Sequence, residues 1–179
     1  MPTPSPVILC ETATVLVATQ YEPRVAPDLV AGVTVSVDYP AARVLLPGRG
    51  NEPAVLERVE NASGVEGLFG AGDQDASGDG IDDRLAVGLI STSEPIPPGP
   101  LTRLRFDCVE GIARPTPIDF GCTADVTTLL GSDVEAGCGV VAIEYDPPGP
   151  PLPTPAPTAT ASATPPPSPG PSPTPMPTP

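Results

Sequence analysis

Strict alternation of apolar and polar positions runs through most of this chain. In Val33-Thr34-Val35-Ser36-Val37-Asp38-Tyr39 the valines and Tyr39 point one way, and Thr34, Ser36 and Asp38 the other. The same period of two places Leu104, Phe106 and Cys108 on one face and Arg103, Arg105 and Asp107 on the opposite one. It recurs in Ala13, Val15 and Val17 within 12–19, and in Val141, Ile143 and Tyr145 against Val140, Ala142 and Glu144. A period of two is the signature of strands with one buried face.

Leu85 to Ile90 is continuously apolar and predicts a strand buried on both faces. Residues 42–46 extend the 33–39 strand past the break at Tyr39-Pro40, and 55–59 fits either a strand or one helical turn, with the strand preferred. Between the runs lie turn signals: Pro47-Gly48, Asn61-Ala62-Ser63-Gly64, Pro97-Pro98-Gly99-Pro100 and Gly131-Ser132-Asp133. The Gly-rich 67–72 segment reads as an inter-strand turn, because no helix pattern or Lys comes after it to make it a phosphate loop. No amphipathic helix of useful length is present. Many short strands punctuated by Gly and Pro predict an all-β jelly-roll sandwich of about nine strands.

Composition then divides the chain. Residues 147–179 hold 16 of the 30 Pro and no charged residue. They lack the apolar bulk for a core, and predict a disordered, proline-rich linker of extended polyproline type. Residues 1–6 are linker-like as well, since Met1-Pro2-Thr3-Pro4 recurs as Met176-Pro177-Thr178-Pro179. The expected body is therefore 7–146, and Met1 is expected to lie inside a linker of a longer, multidomain chain.

Charge and missing residue types narrow the function. The formal net charge of −14 argues against nucleic acid, which demands a basic footprint, and against an anionic membrane surface. The chain has no His, which removes the commonest general base and metal ligand and every His-dependent triad. The acids lie in open hydrophilic turns with nothing to desolvate one of a pair, so the chain is read as not an enzyme. No Trp is present, and only three Tyr and three Phe.

The four cysteines form no C-x-x-C pair. Without His they predict two disulfides rather than zinc, and so an oxidising, extracellular or cell-surface location, although no signal peptide is visible. Position along the chain suggests Cys108 with Cys122, at the ends of neighbouring runs, and Cys10 with Cys138, each before a terminal strand. Four cysteines allow three pairings.

The densest chemical signal is the acidic stretch 73–83. Asp73, Asp75, Ser77, Asp79 and Asp83, with the Ile81 carbonyl, present hard oxygens on a loop that Gly78 and Gly80 allow to bend. That composition suits Ca²⁺. The spacing resembles the calcium loops of dockerin and thrombospondin type-3 repeats, but the twelfth position is Ala86 instead of a bidentate Glu.

The order of features resembles the cohesin family. Val33 to Pro40 looks like the strand that ends in that family's Tyr-Asp/Pro turn, and Arg84 to Ser91 like its buried central strand. Gly99 to Phe106 looks like its G-x-L-x-x-x-x-F strand, and Gly139 to Tyr145 like the closing strand. The resemblance covers about residues 10–146. It implies a nine-stranded jelly roll shared with carbohydrate-binding modules, and a non-catalytic scaffold role in which one flat sheet face holds a dockerin-like protein module. The outward rows Thr34, Ser36, Asp38 and Arg103, Arg105, Asp107 are the candidate partner-binding residues. Two other roles stay open: a carbohydrate-binding module for a polysaccharide, or a structural spacer at the cell surface. The scarcity of exposed aromatics counts against sugar stacking.

Overall fold

The computed structural model describes residues 10–26 and 28–146. The linker-like segment 1–6 and the proline-rich segment 147–179 lie outside the described residues.

The body is a β-sandwich of two five-stranded antiparallel sheets. One sheet contains β1 (Thr12–Tyr21), β3 (Val44–Leu45), β4 (Val59–Asn61), β7 (Gly99–Cys108) and β10 (Ala136–Asp146). Its order is β10-β1-β7-β3, with β4 also pairing with β7. The other contains β2 (Val30–Asp38), β5 (Leu68–Gln74), β6 (Arg84–Ile90), β8 (Gly121–Thr128) and β9 (Asp133–Val134), in the order β5-β6-β2-β8-β9. The chain crosses repeatedly between sheets, so most hydrogen-bonded neighbours are distant in sequence.

The alternation does what the pattern predicts in β1, β2 and β7. Val15 and Val17 from β1 meet Leu104 and Phe106 from β7, and these face Val33, Val35 and Val37 of β2 and Leu85, Val87 and Leu89 of β6. Phe106 sits at the centre, with ring centroids 5.1 Å from Tyr39 and 5.9 Å from Phe120. Burying these side chains supplies the main driving force, each contributing about 1.5–3 kcal/mol.

Several expectations from the sequence are corrected. Residues 42–46 do not prolong the 33–39 strand. The Arg43 and Val44 amides both donate to the Pro40 carbonyl, and this turn carries the chain into the other sheet, where β3 pairs with β7. The 55–59 segment is not a strand: a short helix, α1, spans Pro53–Leu56 and buries Val55, and β4 begins only at Val59. Pro53 favours that helical turn, because its fixed φ suits a first turn that needs no N–H.

β6 is buried on one face only. Leu85, Val87 and Leu89 point inward, while Ala86, Gly88 and Ile90 form an outer face. The 67–72 segment is not a turn: from Leu68 it is β5, paired with β6 along its whole length. A Cβ on Gly67 would overlap the Ile90 carbonyl oxygen, so the approach to this strand requires glycine. In β10 the expected face is shifted. Leu16 pairs with Ala142 but Val17 with Val140, leaving Val141 as an unpaired bulge that is 54% exposed. A bulge inserts one residue and so reverses the facing of the strand beyond it. Val140 and Ile143 therefore pack on the core.

The disulfide pairing also differs. Cys10 bonds Cys108, and Cys122 bonds Cys138, with Cα separations of 5.8 and 5.6 Å. β1 runs antiparallel to β7 with Thr12 opposite Asp107, which places Cys10 beside Cys108. Ile118 belongs to a 3-10 turn, Pro117–Asp119, and Cys122 is the second residue of β8 rather than the end of a strand. Cys138 lies inside β10, so its bond to Cys122 ties the two sheets together. Both bonds fit an oxidising compartment. Among the described residues, no helix is long and apolar enough to cross a membrane.

Candidate functional site

The two predicted recognition rows lie on opposite outer faces of the sandwich. Arg103, Arg105 and Asp107 stand on β7, and their face is crowded with charge. Arg58 makes a two-pronged pair with Asp107 at 2.7 and 3.2 Å, and Arg103 lies 3.5 Å from Glu60. Across β1, Arg105 is in line with Thr14 and Glu144. Long, mutually paired side chains make this a solvated face.

The opposite face is nearly bare. Register across β5, β6, β2 and β8 sets Gly70, Gly88, Thr34 and Asp125 in one row, and Gly72, Ala86, Ser36 and Thr123 in the next. At one end the row is Gln74, Arg84, Asp38 and Gly121, where Arg84 Nε donates to Asp38 at 2.6 Å. At the other end Leu68 and Ile90 sit side by side, 75% and 53% exposed. Gly32 completes that row beside Thr127, whose hydroxyl occupies the space a Cβ would need. Leu129 and Leu130, in the turn just after β8, are exposed beyond this end. The result is a flat platform of small side chains, with an apolar rim at one end and an ion pair at the other. The β2 row was legible in the sequence. Its neighbours were not, because β5 and β8 carry their alternation on glycine, alanine and threonine.

The acidic stretch is divided between interior and solvent. Asp73 points inward from β5 and is only 4% exposed. The Tyr39 hydroxyl is 3.0 Å from both its carboxylate oxygens and 2.8 Å from the Asp82 carbonyl. Burial, reinforced by Asp82 and Asp83, pushes the Asp73 pKa up to about 6 against the pull of the Tyr39 hydrogen bond. Burial and the adjacent Asp73 also raise Tyr39.

Beyond Gln74 the loop is exposed. The Asp75 carboxylate accepts from the amides of Gly78, Asp79 and Gly80 at 2.6, 3.2 and 2.7 Å, and from the Ser77 hydroxyl at 3.3 Å. The Gly80 amide, first among these, holds the Asp75 pKa below the usual carboxylate value. Gly78 and Gly80 have φ of 77° and 89°, the left-handed conformation that the tight wrap requires. Asp79 accepts from the Ile81 amide, and Asp83 from the Ala76 amide. Thus Asp75, Ser77, Asp79, Ile81 and Asp83 share one exposed loop, while Asp73 faces the other way onto Tyr39. In this arrangement the described residues gather no three acidic side chains around a common metal position.

No aromatic ring among the described residues stands clear of the surface as a sugar platform needs. Tyr39, Phe106 and Phe120 are buried, and Tyr21, Phe69 and Tyr145 are half-buried. An open groove of about 920 Å³ lies where the end of β1 meets the starts of β7 and β10, with Tyr21, Glu22, Arg24 and Glu135 in its walls. The Tyr21 hydroxyl donates to the Ile96 carbonyl there, and burial raises its pKa to about 12. No family model matches this chain, and neither a curated protein nor a solved structure matches it.

Proposed function

We propose that this chain is a non-catalytic, extracellular docking module of the cohesin-like kind, and that it holds a dockerin-like protein partner on the outer face of the β5-β6-β2-β8 sheet. The observation that carries this reading is the contrast between the two outer faces. One is occupied by paired Arg, Asp and Glu. The other offers backbone, Thr34, Ser36, Ala86 and glycine, with Leu68 and Ile90 as an exposed apolar pair. A partner helix or sheet can approach a surface without long side chains closely, and little side-chain entropy is lost on contact. Exposed apolar pairs rimmed by polar groups suit protein contact.

Gly70 has no neighbour within 4 Å of where its Cβ would stand, and Thr34 is exposed. Thr34→Arg and Gly70→Arg therefore leave the core intact while raising an obstacle on the platform. Each is expected to weaken capture of a dockerin module at least about tenfold, measured by surface-immobilised binding, while Arg105→Glu on the opposite face leaves it unchanged. Equal loss from Arg105→Glu, or no capture by the wild-type body, overturns the reading.

Ca²⁺ is the proposed ion of the 75–83 loop, through Asp75, Ser77, Asp79, Asp83 and the Ile81 carbonyl. What supports it is a concentration of hard oxygens on one glycine-bent loop. Millimolar Ca²⁺ is expected to raise the melting temperature and slow proteolysis at this loop. Titration without heat and without a thermal shift removes calcium from the proposal.

A further inference from the structure

The chain enters and leaves the body on adjacent rungs of one ladder: Thr12 pairs with Asp146, and the Glu11 amide donates to the Asp146 carbonyl at 2.8 Å. A pull applied through the two flanking segments falls on this end of the β1/β10 ladder. Antiparallel rungs loaded from one end break one at a time, which is the weakest way to strain a sheet. The disulfides change where that load goes. Cys10 hands it at once to Cys108, bypassing 98 residue steps, and Cys122 hands it to Cys138, bypassing 16.

We infer that the two disulfides make this body a load-bearing link, in which tension between the flanking segments runs through a short covalent path and bypasses most of the fold. The two closed loops succeed one another without overlapping, so the path is Cys10, Cys108, the 108–122 connection, Cys122, Cys138 and the last strand to Asp146. β1 through most of β7, and β8 through the start of β10, lie inside the bypassed loops. The proposed docking face, built from β2, β5, β6 and β8, lies almost wholly within them. Peeling of β10 from β1 halts at Cys138, where the strand is bonded to the other sheet. This role requires no docking partner and stands or falls apart from one.

The test is single-molecule stretching of the full chain, tethered at its two ends. About 22 of the 136 steps between Cys10 and Asp146 stay under load, so the oxidised chain is expected to release only about 80 Å on unfolding. With dithiothreitol present, the release is expected to grow to about 490 Å. Replacing Cys10 and Cys108 together by Ala is expected to add about 350 Å to the oxidised release, and replacing Cys122 and Cys138 together about 60 Å. A release of several hundred ångströms from the oxidised wild-type chain overturns the inference, and so does a Cys10/Cys108 variant that releases no more than wild type.

Discussion

Replacing Cys10 and Cys108 together by alanine is expected to lower the stability of the body by about 3–5 kcal/mol, and replacing Cys122 and Cys138 by about 2–3 kcal/mol. The ordering comes from loop length. The first bond closes a separation of 98 residues and the second one of 16. A longer closed loop removes more freedom from the unfolded chain, and the penalty grows with the logarithm of its length. A second effect opposes this ordering. The short loop joins opposite sheets, so its loss also frees β10 from β8, while β1 and β7 keep a full ladder of hydrogen bonds without Cys10. Urea titrations of both double variants decide between the two effects. The first variant is expected to have the lower midpoint and, because its unfolded state is freer, a steeper slope. A Cys10/Cys108 variant as stable as wild type would sink the chain-entropy account.

A second large effect is expected from acid. Asp73 has a folded pKa of about 6 against an ordinary value of 3.8, so between these values the folded state holds a proton that the unfolded state has lost. Stability from this group is complete below about pH 4, and is lost as pH rises through 6. The loss at neutral pH is on the order of 3 kcal/mol. The physical cause is burial of the carboxylate, reinforced by the neighbouring Asp82 and Asp83 and opposed by the hydrogen bond from the Tyr39 hydroxyl.

Asp75 and Asp119 work in the opposite sense. Backbone amides, and for Asp119 also the Thr116 hydroxyl and Arg43, depress their pKa values. Their contribution is present above 3.8 and lost as pH falls below it. The melting temperature is therefore expected to be nearly level above about pH 6.5, to rise as pH falls from about 6 to about 4, and to fall again below that. Asp73→Asn, neutral throughout and able to donate a hydrogen bond of its own, is expected to match or exceed wild type at about pH 7.5 and to flatten the profile between about 4 and 6. A wild-type profile already flat there, or identical to that of the variant, refutes this account.

The strands that were legible in the sequence are those whose inward positions carry Val, Leu or Phe, such as 33–37 and 104–106. β8 carries the same period of two in Cys122, Ala124, Val126 and Thr128, but its small and polar members blur the contrast. β5 was obscured by three glycines between positions 67 and 72, which signal a turn in isolation and here serve a strand that must lie close against β6. The bulge at Val141 was invisible because Val140, Val141 and Ile143 are all apolar, and only the register against β1 decides which two face the core. The disulfide pairing was hidden for a topological reason. Proximity along the chain says little where β1 lies between β7 and β10, and no local pattern states which strands are neighbours. The candidate docking row Thr34, Ser36, Asp38 was readable as an outward face. Its quality as a platform depends on β5, β6 and β8, and emerges only when their small residues line up beside it.

The adjacency of Thr12 and Asp146 also has a bearing on spacing. Entry and exit are separated by roughly one strand-to-strand distance, about 5 Å, so folding of the body draws residues 12 and 146 together and the body itself adds almost nothing to the span between them. Exchanging the residues between these two rungs leaves the distance from entry to exit nearly unchanged so long as the β1/β10 ladder forms.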